Sequence, residues 1–220
     1  MGIKGIIFDM DGIMVDTEKH YNRIMCRAAN ELGYPMKREH SLLLRSLDIE
    51  LACPLMQKFF GEDYDHRVVR ALYHKYVDEY FAEHEIEVKP GLFELLDYLK
   101  KENYLFCVAT SSGRERTESF LGRIHALEYF DHICSGEEFE HSKPAPDIYI
   151  QAAKCLGLKP EECIALEDSP NGITSAYRAG CKPVMVPDLT KPDEETKKML
   201  FSEEESLDKV IDLLENSKIC

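Results

Sequence analysis

The chain has 220 residues, of which 44% are hydrophobic and 31% charged, and its formal net charge is −14. That balance suits a soluble globular protein of one or two domains with ample material for a core. So acidic a chain argues against nucleic acid or an anionic membrane as partner, since both need basic surface, and an anionic substrate must find positive charge placed locally.

The eight cysteines (Cys26, Cys53, Cys107, Cys134, Cys155, Cys163, Cys181 and Cys220) form no CxxC pair, which argues against a zinc ribbon. Several sit in apolar runs, as Cys107 and Cys163 do, and reduced thiols are expected. The apolar run at residues 3–8 is too short for a secretory signal, and no run reaches the length of a membrane span. A cytoplasmic monomer is the expectation.

Residues 3–8, interrupted only by Lys4 and Gly5, predict a strand buried on both faces, as in a parallel sheet. The texture then changes. Tyr21, Ile24, Met25, Ala28, Ala29 and Leu32 recur at helical spacing until Gly33-Tyr34-Pro35. Residues 42–60 keep apolar positions at mixed spacing, and Pro54 is expected to break them. Leu72, Tyr73, Tyr76, Val77, Tyr80 and Phe81 predict a further helix over 68–81. A helical block this long exceeds an ordinary crossover, so residues 17–84 read as an inserted helical domain, with 1–16 and 85–220 forming the main domain.

From Pro90-Gly91 helices and strands alternate. Strands are expected at 104–109, 130–134, 163–166 and, last, 183–186, with helices at 92–101, 115–123, 148–156 and 172–179. Residues 191–198 read as a polar loop or helix start, and 202–216 as a closing helix with Ser202 and Glu205 at capping-box spacing. The pattern is that of a Rossmann-like α/β fold, a parallel sheet with helices on both faces.

In such a sheet ligands bind beyond the carboxyl ends of the strands. Asp9 and Asp11 end the first strand two residues apart, so both side chains leave on one face, and Gly12 permits a sharp turn. Thr110 and Ser111 end the second strand, Lys143 lies in the loop after the third, and Glu167 and Asp168 end the fourth. Each is an ordinary turn, cap or surface residue when taken alone. Together they offer carboxylates for one Mg²⁺, and a hydroxyl, turn amides and an ammonium for a phosphoryl group.

Asp9-Met10-Asp11-Gly12 with Val15-Asp16-Thr17-Glu18, then Thr110, Lys143-Pro144 and Leu166-Glu167-Asp168-Ser169, resemble the four motifs of the haloacid dehalogenase superfamily. The runs from Lys143 to Tyr149 and from Glu167 to Ile173 are similar to its branch of β-phosphoglucomutase and sugar-phosphate phosphatases, and the helical block sits where that branch carries its cap. The resemblance implies Asp9 as nucleophile and Asp11 as general acid and base. It implies Mg²⁺ on Asp9, the Asp11 carbonyl, Glu167 and Asp168. It also implies phosphoryl oxygens held by Thr110, Lys143 and backbone N–H groups around Met10, Asp11 and Ser111.

The expected activity is hydrolysis of a small phosphorylated metabolite, a sugar phosphate, through an aspartyl-phosphate. His20, Tyr21 and Arg45 are candidate cap contacts to substrate. The mutases of the branch grip a second phosphate with a cap arginine, and residues 42–49 do not match that register, which favours a phosphatase over a phosphosugar mutase. Two non-enzymatic readings are a phosphorylation-switched receiver, disfavoured by length and by Asp11, and an inactive binding relative, disfavoured by the full set of catalytic residue types.

Overall fold

A computed structural model describes residues 2–47 and 49–218, with Lys218 described by its backbone. Cys220, one of the expected thiols, and Asp48, inside the 42–49 stretch, lie outside the described residues. The chain runs β1 (Gly5–Phe8), α1 (Glu18–Glu31), α2 (Arg38–Leu42), α3 (Ile49–Phe60), α4 (His66–Glu83), α5 (Leu92–Lys101), β2 (Leu105–Thr110) and α6 (Arg114–Arg123). It continues with β3 (Ile133–Ser135), α7 (Asp147–Cys155), β4 (Cys163–Glu167), α8 (Pro170–Ala179), β5 (Lys182–Met185), α9 (Glu194–Lys197), β6 (Ser202–Glu203) and α10 (Leu207–Lys218).

The strands form one parallel sheet in the order β3-β2-β1-β4-β5-β6. Because β1 is flanked by β2 on one side and β4 on the other, the chain leaves the centre in both directions. That switch point opens a crevice at the carboxyl ends of the strands. The strand alternation sorts the core into two layers. Ile6 and Phe8 of β1 face the larger one, with Val108, Leu166, α5 and α10. Ile7 faces the other, where Ala109, Ala165, Ala152, Ala153 and Ala176 are small enough to let α7 and α8 lie close to the sheet. Phe8, Phe106 and Phe130 meet edge-on in the larger layer, with ring centroids 5.5–6.3 Å apart.

Residues 17–84 contain helices and no strand among the described residues. The two chain crossings that frame them lie side by side. Asp16 donates its N–H to the Glu87 carbonyl (2.8 Å), Lys89 to that of Met14 (3.0 Å), and Val15 bridges Val88 antiparallel.

The structure corrects three expectations. Pro54 does not interrupt a helix but lies inside α3, where its missing N–H forfeits only the bond to the Glu50 carbonyl. The strand at 182–185 is not the last, because Ser202 and Glu203 pair in parallel with Val184 and Met185 as β6. The capping box at Ser202 is absent for that reason: Ser202 is spent on the sheet edge, its Oγ donates to Glu204 (2.6 Å), and α10 begins at Leu207. The seven described cysteines are unpaired thiols, with Cys107, Cys134, Cys163 and Cys181 buried.

Candidate active site

β1 delivers Asp9 and Asp11 to the crevice, and the backbone then curls at once, with the N–H groups of Met14 and Val15 returning to the Met10 carbonyl (2.8 and 3.2 Å). Gly12 adopts φ +82, and a Cβ there would lie 2.2 Å from Asp168 Oδ2. Both its freedom and its lack of side chain are therefore needed. Gly172 does the same for the neighbouring carboxylate, since a Cβ would come within 2.0 Å of the Glu167 carboxyl carbon. Met10 itself belongs to the core, which leaves only its backbone for a ligand.

Asp9, Glu167 and Asp168 are buried and bring carboxylate oxygens within 4.8 Å of one another. Lys143, only 1% exposed, ties two of them together. Its Nζ donates to Asp9 Oδ1 and Glu167 Oε1, both at 2.6 Å, and to the Ala109 carbonyl at 3.1 Å. Burial works against its charge, yet the two carboxylates prevail and hold the ammonium well above the usual lysine range. Tyr149 (2.6 Å) and Ser169 (3.2 Å) donate to the two oxygens of Glu167. Burial pushes Asp9 well above the usual carboxylate range, against the pull of Lys143. Asp168 is pushed up likewise, against the pull of Arg45.

Asp11 stands slightly apart, with Thr17 Oγ1 donating to one oxygen (2.6 Å) and Ser112 Oγ to the other (2.8 Å). Thr110 is buried, and its hydroxyl oxygen accepts the Ser112 N–H (3.1 Å), which leaves its own O–H free to donate. Ser111 lines the pocket next to it.

Asp9, Asp11, Thr110, Ser111 and Ser112 floor a cavity of about 180 Å³, with Arg116 of α6 on one side and the remaining walls from the helical block; Lys143, Glu167 and Asp168 lie outside its lining. Tyr21 and Arg45 line it, and His20 does not. The His20 ring packs on Tyr80 (centroids 4.8 Å apart) and faces Glu87, so as a substrate contact it is misplaced. Arg45 lines the cavity, but its guanidinium turns toward carboxylates: it pairs with Asp168, and its Nε lies 3.1 Å from Glu18 Oε2. Glu18 is raised to about 7 by burial, with Arg45 pulling the other way.

Five buried or nearly buried carboxylates (Asp9, Asp11, Glu18, Glu167, Asp168) thus face two cations, Lys143 and Arg45. Such a deficit is costly in a dry site and fits a hard divalent cation. Asp9 Oδ2 and Asp168 Oδ1 accept no hydrogen bond from the described residues and are open to such an ion. The donor set therefore suits Mg²⁺.

Sequence reading missed Thr17, Glu18, Ser112, Tyr149 and Ser169 as individual site residues, although each lies inside or beside a motif run. It also missed His66, Arg70, Tyr73 and His74, which line the cavity from α4. Their i, i+4, i+7, i+8 spacing is a polar stripe that could have been read as facing a site.

A family model described as haloacid dehalogenase-like hydrolase matches residues 6–186. The chain is 33% identical over 201 residues to "Probable pseudouridine-5'-phosphatase" of Drosophila melanogaster, covering 86% of this chain and 84% of that protein. It is 29% identical to hexitol phosphatase B of Escherichia coli K12, covering 84% of each. The crystal structure of CbbY from Rhodobacter sphaeroides with xylulose-(1,5)-bisphosphate superposes with a TM-score of 0.77 at 26% identity, over 94% of this chain and 96% of that one. The chain belongs to the haloacid dehalogenase-like hydrolase family, in its branch of sugar-phosphate phosphatases.

Proposed function

We propose that this enzyme hydrolyses a small phosphorylated metabolite of the sugar-phosphate kind, with Asp9 as nucleophile and Asp11 as proton carrier. The observation that carries the reading is the buried Asp9–Lys143–Glu167 bridge beneath a pocket closed by helices. An Asp9 oxygen attacks phosphorus, the bond from phosphorus to the substrate's ester oxygen breaks, and Asp11 gives that oxygen a proton. Water then attacks the aspartyl-phosphate, Asp11 takes its proton, and the bond from phosphorus to Asp9 breaks, which releases phosphate, restores the Asp9 carboxylate and leaves Asp11 protonated as it began.

The Lys143 charge beside Asp9 offsets repulsion between nucleophile and phosphate, and the free Thr110 O–H is a donor for a phosphoryl oxygen. Thr17 and Ser112 hold Asp11 in place. Mg²⁺ would be held by Asp9, Glu167 and Asp168, with the Asp11 carbonyl, and supplies charge stabilisation for the phosphoryl oxygens. Residues 17–84 serve as the cap over a core made of 1–16 and 85–220, and the paired crossings at 14–16 and 87–89 are the hinge.

Arg45 gives no support to a mutase reading, because its guanidinium is engaged by Asp168 and Glu18. Phosphate release from p-nitrophenyl phosphate with Mg²⁺ tests the assignment. Asp9→Asn is expected to abolish it, with a loss on the order of 10³-fold or more as for other covalent nucleophiles. Persistence of activity in that variant would falsify the assignment.

A further inference from the structure

Each carboxylate of the buried triad is already held by one of its two oxygens. Lys143 takes Asp9 Oδ1 (2.6 Å), Arg45 takes Asp168 Oδ2, and Lys143 and Tyr149 both take Glu167 Oε1 (2.6 Å each). A carboxylate oxygen has two lone pairs, so Glu167 Oε1 is full. Among the described residues Glu167 Oε2 accepts only from Ser169 Oγ (3.2 Å), and it keeps one lone pair. Glu167 can therefore offer an incoming cation one oxygen and not two.

Tyr149 owes its reach to the packing of α7. Tyr149, Ala152 and Ala153 share one face of the helix and are fully buried against the sheet. The two alanines let α7 approach, and the phenol spans the remaining gap to Glu167 at the end of β4. Lys143 Nζ lies over the Tyr149 ring, 5.0 Å from its centroid, so the ring steadies the ammonium while the hydroxyl serves the carboxylate. A buried phenol needs an acceptor, and that need accounts for the existence of the bond. It does not account for the choice of acceptor. Oε1 already holds an ammonium, whereas Oε2 has one longer hydroxyl contact.

The geometry points to Tyr149 as a positioning residue that sets ion selectivity: by closing Glu167 Oε1 it keeps this carboxylate a single-oxygen ligand, and so favours Mg²⁺ over Ca²⁺. Mg²⁺ is small, demands near-octahedral order and retains waters, so single oxygens from separate carboxylates suit it. Ca²⁺ takes more oxygens in looser order and readily uses both of one carboxylate. The inference rests on the reading of Asp9, Glu167 and Asp168 as the metal ligands, and adds the residue that decides between ions.

The test is calorimetric and needs no turnover. Metal-stripped wild type and Tyr149→Phe, each as the full chain, are titrated with Mg²⁺ and with Ca²⁺ in separate runs. The phenylalanine keeps a ring under Lys143 and removes only the hydroxyl, which reopens a lone pair on Oε1. The ratio of Mg²⁺ to Ca²⁺ affinity is expected to fall by about ten-fold in Tyr149→Phe, the size of effect that outer hydrogen-bond partners have on metal affinity. The ratio is taken within one protein, so partial unfolding of a variant does not alter it. Ile148→Val, a buried change on the next residue of α7, loosens the same helix and leaves the Tyr149 hydroxyl in place. It is expected to keep the wild-type ratio. An unchanged ratio in Tyr149→Phe, or an equal fall in Ile148→Val, would overturn the role of the hydroxyl and leave the metal assignment standing. A wild type that binds neither ion, or a Glu167→Gln variant that binds both as tightly as the wild type, would overturn the metal assignment and this inference with it.

Discussion

At the scale of single residues, the site is built from groups that work against the fold. Burial raises Asp9 well above the usual carboxylate range, with Glu167 and Asp168 adding to the push and Lys143 opposing it. In the metal-free protein the charged form of Asp9 therefore costs stability at neutral pH. Asp9→Asn keeps the shape and removes the charge. It should raise the melting temperature of the metal-free protein by about 2–4 °C, the shift typical of roughly 1 kcal/mol in a chain of this size, while it abolishes turnover. A thermal melt in EDTA checks this, and a lower midpoint would contradict the electrostatic account. Gly172 makes the converse case. A methyl there would sit 2.0 Å from the Glu167 carboxyl carbon, so Gly172→Ala should displace Glu167 and cost about 1–3 kcal/mol as overpacking does, read as a lower denaturation midpoint. The motif residues Asp9, Asp11, Thr110, Lys143, Glu167 and Asp168 were legible because each ends a strand or opens a loop at the sheet's carboxyl edge. The partners Tyr149 and Ser169 were not. What Tyr149 does depends on α7 lying against the sheet, which no local pattern states.

At the scale of elements, strands buried on both faces and amphipathic helices announced themselves by period. The misses came where local pattern and tertiary context disagree. Ser202 reads as a cap in sequence, but an open edge of β5 recruits it as a strand. Pro54 reads as a breaker, yet the packing of Ala52 and Met56 holds α3 through it. α4 turns a polar face, His66, Arg70 and His74, to the pocket. His66 and His74 are both lowered from 6.5 to about 4, by burial first and then by neighbouring arginines. A base that stays neutral in the fold but takes a proton when unfolded contributes stability above its unfolded value. That contribution falls away as pH drops from 6.5 toward 4. Histidine ring signals followed by NMR should show both residues titrating near 4. The stability advantage of wild type over His74→Asn should shrink across that window. Titration near 6.5 would place these rings in solvent and undo the pocket geometry.

For the molecule as a whole, the question is how two bodies of the chain share one charge problem. The core supplies Asp9, Asp11, Glu167 and Asp168, and the helical block supplies Glu18 and Arg45. Arg45 crosses between them: its guanidinium pairs with Asp168, its carbonyl accepts from Asn171 (2.8 Å), and Thr190 Oγ1 accepts from its Nη1 (3.1 Å). Removing it leaves Glu18 and Asp168 buried without a cation, so Arg45→Ala should destabilise the metal-free protein by about 3–5 kcal/mol, as breaking a buried pair does. A divalent cation held by Asp9, Glu167 and Asp168 would bind the folded chain alone and would stabilise it by mass action, adding about 1.4 kcal/mol per ten-fold rise in free ion above its dissociation constant. The two effects should be coupled. With Arg45 gone, the ion is the remaining counter-charge for Asp168, so Mg²⁺ should raise the melting temperature of Arg45→Ala by more than it raises that of the wild type. Melts over a Mg²⁺ series for both proteins, with Asp168→Asn as the control that lacks the shared carboxylate, measure the coupling. Equal Mg²⁺ shifts in wild type and Arg45→Ala would mean that Arg45 and the ion act on separate charges. The carboxylate deficit would then have to be met at Asp9 and Glu167 by Lys143 alone.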